Sequence, residues 1–124
     1  MQTDSLLLKR ITEVMTQIKE ISLEDLLKKM NESTLFFLID VRENFEWQKG
    51  SIPKAIHISR GTLELKIEKF CRDPQADIVI YCGGGTRSAF AAESLGSMGY
   101  QNVKSLRGGF GGWVESDLPI EIPR

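Results

Sequence analysis

The chain has 124 residues, 41% of them apolar and 27% charged, and its 16 basic against 17 acidic side chains leave a formal charge of −1. That length builds one hydrophobic core, and that balance excludes a disordered or collagen-like chain and any overall basic field for nucleic acid or an anionic membrane. Two cysteines and one histidine are too few for a disulfide framework or a set of metal-ligand spacings, so no metal is expected and a reducing, cytoplasmic setting fits.

Leu7, Ile11, Val14 and Ile18 form one stripe of an amphipathic helix, with Asp4 or Ser5 as its N-cap. Leu6-Leu7-Leu8 before Lys9-Arg10 is too short and wrongly flanked for a signal peptide or a membrane span. Glu20-Ile21 is a short strand candidate. A second helix starts at Ser22 as N-cap, with Glu24 and Asp25 in the first turn and Lys28 and Lys29 near its end, where each charge suits the helix dipole. Leu35 to Ile39, closed by Asp40, and Ile78 to Tyr81, ending at Cys82, are continuous apolar runs of the kind buried on both faces of a parallel sheet. Shorter candidates are Ala55 to Ile58 and Val103 to Leu106. Helical patterns separate them: Leu63, Ile67 and Phe70 stop before Pro74, and Phe90, Ala91, Leu95 and Met98 stop at Gly99. This alternation predicts an α/β domain with a mainly parallel sheet. The Gly108 to Trp113 segment is glycine-dense but interleaved with large aromatics, which points to close backbone packing.

In such sheets ligands gather beyond the carboxyl ends of the strands. Strand 78–81 delivers Cys82 there, followed by Gly83-Gly84-Gly85-Thr86-Arg87-Ser88 and a small-residue helix. Three glycines let successive N–H groups converge, and the next helix adds its positive end, so the expected feature is an anion cradle around sulfur. A field of that sign favours thiolate, the nucleophilic form, over thiol. Walker spacing and a Gly-x-Gly-x-x-Gly pattern are both absent. Arginines follow the strand candidates at Arg42, Arg60, Arg87 and Arg107, and all four could rim one anion pocket. For Arg42, pairing with Asp40, Glu43 or Glu46 is the preferred reading, and for Arg107 simple solvation; Arg87 and Arg60 are placed with the substrate-binding residues. Cys71 reads as structural, His57 as a packed or edge residue, and Trp47 and Trp113 as packing residues.

These residues resemble, in order, the rhodanese-like domain of sulfurtransferases over about 20–123. Ile39-Asp40-Val41-Arg42-Glu43 with Glu46-Trp47 is similar to the family's Asp-Val-Arg segment, Gly50 to Ile58 to its Gly-His-Ile-Pro-Gly-Ala element, Cys82 to Arg87 to its active-site loop, and Leu106 to Gly109 with Trp113 and Leu118 to Ile120 to its closing segment. Ser51 and Lys54 depart from it, standing where His and Gly are common. The resemblance implies a three-layer sandwich, helices on both faces of a mainly parallel sheet, spanning 20–124, with residues 1–19 as an extra N-terminal helix that covers the core or joins two copies as a homodimer. It implies a persulfide cycle, without metal or organic cofactor, in which Cys82 takes the outer sulfur of a small anionic donor such as thiosulfate and passes it to cyanide, a small thiol or a protein thiol. The amides from Gly83 to Ser88 would stabilise the anionic sulfur, Arg87 would hold the donor or fix the loop, and Asp40 and Arg42 would brace it. Two other functions use the same parts: a persulfide carrier serving a partner protein, and a phosphatase or arsenate reductase of the same fold, whose loop is longer than the four residues between Cys82 and Arg87.

Overall fold

Five short strands pair in one sheet, and the computed structural model describes residues 5–123. The strands are β1 (Lys19–Ile21), β2 (Phe37–Asp40), β3 (Ile56–His57), β4 (Ile78–Tyr81) and β5 (Val103–Leu106), all parallel, in the order β1-β5-β4-β2-β3. β4 lies at the centre with all four residues buried, as its β-branched run requires. Its residue Ile78 lies opposite Phe37 of β2 and Val103 of β5. Leu35 and Phe36, expected in the strand, precede this register, and Leu35 is exposed.

The connections carry helices α2 (Leu23–Asn31), α3 (Asn44–Gln48), α4 (Leu63–Lys66) and α5 (Thr86–Met98), with α1 (Leu6–Met15) before the sheet and α6 (Gly109–Glu115) after it. Ser22 caps α2 by accepting from the Asp25 amide at 3.0 Å, and Gly99 ends α5 in the left-handed conformation. Ser5 caps α1, accepting from the Leu8 amide at 3.2 Å; Asp4 lies outside the described residues. The 63–70 pattern is not one helix: α4 is a single turn between 3₁₀ turns at Arg60–Thr62 and Ile67–Lys69. α1 packs on α5, burying Val14 and joining Arg10 to Glu93 at 2.7 Å.

Alternate residues of β4 feed two cores. Ile78 and Ile80 join Ile39, Leu63, Ile67 and Leu95 on one face, whereas Val79 and Tyr81 join Leu26, Leu38 and Trp113 on the other. Continuing that alternation by two residues from Ile80 turns the side chain of Cys82 toward the α5 face, where it meets the loop that starts the helix.

Candidate functional site

Cys82 is the first residue beyond β4, and the chain from Gly83 to Gly85 folds back over it before α5 begins. Gly85 makes the turn at φ +120°, a conformation L side chains rarely adopt. The Gly85 amide thereby donates to Cys82 Sγ at 3.0 Å and the Ser88 amide, in the first turn of α5, at 3.3 Å. Ser88 Oγ lies 3.5 Å from the sulfur, within reach of Gly85 O at 3.2 Å and of Ser105 Oγ on β5 at 2.8 Å. Cys82 is 1% exposed, so the sulfur lies on the floor of the site with apolar neighbours on its core side. On the loop side its neighbours are hydrogen-bond donors, and exposed Gly84 and Thr86 form the surface above it. Donors aimed at a sulfur stabilise its anion, and so does the amide end of a helix.

A second segment holds this loop from beneath. Gly108 and Gly109 turn with positive φ into α6, and the first amides of that helix bond back to the loop: Phe110 N–H to Cys82 O at 2.8 Å and Gly111 N–H to Gly83 O at 2.9 Å. A Cβ on Gly109 would lie 2.4 Å from Cys82 O and 2.7 Å from Gly83 O, so only glycine allows the approach. The expected close packing of Gly108 to Trp113 takes the form of a helix. No helical pattern announces it, because its glycines serve contact rather than propensity.

Asp40 and Arg42 form a buried ion pair at 2.8 Å, with the Arg42 amide also donating to Asp40 at 2.9 Å and its guanidinium to Gly50 O at 2.6 Å. The guanidinium lies 4.2 Å from the centre of the Phe110 ring. It therefore acts on Cys82 through α6, and the anion pocket of four arginines does not receive its charge. Arg87 spans outward to Glu46 on α3, with a two-pronged pair at 2.7 and 3.1 Å that lies above Gly83. This arginine holds the Glu46 carboxyl down at about 2. Arg60 bonds Glu64 at 2.9 Å, and Glu64 in turn accepts from Ser94 of α5. Arg107, the most exposed of the four, leans on Glu20 at 3.4 Å.

Sequence reasoning missed Glu46 as the partner of Arg87 and Ser105 as the partner of Ser88, since each pair is distant in sequence. His57 Nε2 donates to Arg42 O, 2.9 Å away, and its ring stacks on Trp47, while Trp113 donates to Pro119 O at 2.8 Å. Lys54 has φ +71°, which is the physical reason glycine suits that position. Among the described residues no helix is long and apolar enough to cross a membrane.

The chain has counterparts among known proteins. A sulfurtransferase of Allochromatium vinosum is 33% identical over 86% of this chain and 97% of its own length. The thiosulfate sulfurtransferase GlpE of Haemophilus influenzae is 31% identical, with 83% of this chain and 94% of its own length covered. The structure of the polysulfide-sulfur transferase homodimer of Wolinella succinogenes superimposes with a TM-score of 0.78 at 28% identity, over 91% of this chain and 85% of that one. The model of the rhodanese-like domain matches residues 22–116, and with the parallel sheet and a strand-end cysteine in its glycine loop, the chain belongs to the rhodanese-like sulfurtransferase family.

Proposed function

We propose that the protein moves a sulfane sulfur from a small donor to a thiophilic acceptor, cyanide or a thiol, through a persulfide on Cys82. The observation that carries this reading is the pair of main-chain N–H groups on Cys82 Sγ. In the first half-reaction the thiolate attacks the outer sulfur of the donor. The new S–S bond forms as the donor's own bond to that sulfur breaks, and the donor remnant leaves with the bonding electrons. In the second half-reaction the acceptor attacks the outer sulfur of Cys82–S–S⁻, and Cys82 departs as thiolate. Sulfur and charge balance without an external oxidant. Donors fixed before the reaction stabilise each anionic state at no reorganisation cost.

The low exposure of Cys82 is compatible with this cycle, because one sulfur atom, not a bulky group, must reach it. A phosphatase reading has less support: four residues separate Cys82 from Arg87, and Arg87 turns out to Glu46 instead of into the ring. In the carrier version of the cycle the acceptor is a protein thiol. The exposed apolar residues Leu6, Leu7 and Leu8 of α1 support self-association through that helix, with a homodimer as the expected sedimenting species.

The test is intact mass after incubation with thiosulfate or inorganic polysulfide, before and after cyanide. Gain and then loss of one sulfur atom is expected, and Cys82→Ser should abolish both. An unmodified wild-type chain under both donors, or turnover of an aryl phosphate in its place, would overturn the reading.

A further inference from the structure

Each arginine that the strand ends bring toward the site has a carboxylate of its own. Arg87 is neutralised by Glu46 at 2.7 Å, Arg60 by Glu64 at 2.9 Å, Arg42 by Asp40 at 2.8 Å and Arg107 by Glu20 at 3.4 Å. These contacts are not incidental surface pairings alone. Arg42 and Asp40 are buried, Arg87 and Glu46 meet through two parallel bonds, and Glu64 is fixed further by Ser94. The rim therefore offers hydrogen-bond donors without a net positive field. The two amides that point at the sulfur are already engaged by it.

A sulfur oxyanion such as thiosulfate carries two charges toward a thiolate, and its departing group, sulfite, carries two away. Here such a dianion would meet the Glu46 carboxylate beside the one arginine of the loop, and that carboxylate is ionised at any physiological pH. A persulfide R–S–SH approaches neutral or with a single charge. Its terminal sulfur is attacked by the Cys82 thiolate, the S–S bond of the persulfide breaks, and R–S⁻ leaves with the electron pair while the proton stays on the new Cys82–S–SH or passes to water. Arg87 retains N–H groups beyond those that bond Glu46, so it can still donate to a polar group of the donor at the rim.

We propose that the donor this site accepts is the persulfide of a thiol and not a free sulfur oxyanion, with Glu46 the residue that sets the preference. The inference rests on the Cys82 persulfide cycle proposed above. It also separates this chain from a protein that concentrates small dianions with unpaired arginines.

Single-turnover loading of Cys82, followed by intact mass, tests it with 2-hydroxyethyl persulfide, whose only ionisable group is its terminal sulfur, and with thiosulfate on wild type and Glu46→Gln. The wild type is expected to load faster from the persulfide. Removing the carboxylate charge should raise the thiosulfate rate about tenfold and leave the persulfide rate within about twofold, because the change acts on the charge of the donor and not on the sulfur. If Glu46→Gln proves misfolded by circular dichroism, Glu64→Gln beside Arg60 carries the same expectation in smaller degree. Faster loading of the wild type from thiosulfate, or equal effects of Glu46→Gln on both donors, overturns the donor assignment while the persulfide cycle stands. Failure of both donors to load Cys82 overturns the cycle and the assignment together.

Discussion

Cys82 and Cys71 belong to one apolar cluster and are almost equally closed to solvent, at 1% and 5% exposure. They lie at opposite ends of β4 in the chain, and the groups facing their sulfurs have opposite polarity. Two main-chain N–H groups point at Cys82 Sγ. Cys71 Sγ instead points its own hydrogen at the carbonyl oxygen of Asp73, 3.8 Å away. An acceptor beside a sulfur disfavours its anion, and a donor favours it. Burial alone therefore says nothing about reactivity. What separates the two thiols is which end of the peptide dipole each one meets.

The largest way to break the contrast is to remove what holds the Cys82 end in place. Asp40→Ala leaves the buried Arg42 charge unpaired, and Arg42 stacks on Phe110, whose amide grips Cys82 O. We expect a loss of about 3–5 kcal/mol in urea unfolding, together with loss of Cys82 reactivity toward a thiol-directed label. An unaltered midpoint would show that the buried pair does not support the loop.

Gly109→Ala should cost about 2–4 kcal/mol, because the added methyl group would collide with two backbone oxygens that have no freedom to retreat. Its sharper signature is chemical. With α6 displaced, the loop loses its floor, and labelling of Cys82 should fall to the rate of Cys71. Persistence of the wild-type labelling rate would mean that the loop keeps its shape without α6.

The two ends of β4 also differ in how far the amino-acid order reveals them. Ile78 to Tyr81, Phe90 to Gly99 and the Ser22 cap are local patterns, and periodicity or a capping residue exposes each one. The loop around Cys82 is local too, since three glycines between a buried strand and a helix leave few other conformations. What supports it is not local. Glu46 is 41 residues from Arg87, and nothing in Asn44-Phe45-Glu46 specifies which cation it will meet. The same holds for Ser88 with Ser105. α6 is hidden for another reason: Gly109, Gly111 and Gly112 weaken helix propensity, and its formation depends on contact with the loop it supports. The register of β2 likewise depends on its partner, because Leu35 and Phe36 are as apolar as Phe37 but have no β4 residue opposite them.

A milder test sharpens the comparison without altering the protein. In the folded wild type at neutral pH, Cys82 should react with iodoacetamide at least about tenfold faster than Cys71, and in denaturant the two rates should converge. The small label matters because Cys82 is only 1% exposed. Equal rates in the folded state would mean that the loop amides do not make Cys82 the more reactive thiol, and the cradle would lose its chemical meaning.

The smallest expected effect concerns the ion pair above the loop. Arg87 holds the Glu46 carboxyl at about 2, below its ordinary 4.5, so the ionised carboxylate stabilises the folded chain at every pH above 4.5. As pH falls from 4.5 toward 2 the unfolded chain takes up the proton first, and this contribution is lost. The pair is partly exposed, so its worth is no more than about 1 kcal/mol. The melting temperature of wild type should then exceed that of Glu46→Gln by a few degrees, roughly 4 °C at most, at neutral pH, and the gap should close as pH approaches 2. A gap that does not vary with pH would assign the difference to packing of the side chain instead of to its charge. Because the Cys71 end draws its ion pairs from Asp77 with Lys29 and Lys104, the same variant should leave the labelling of Cys71 untouched. Any change there would mean that loss of the Glu46 charge is felt at both ends of β4.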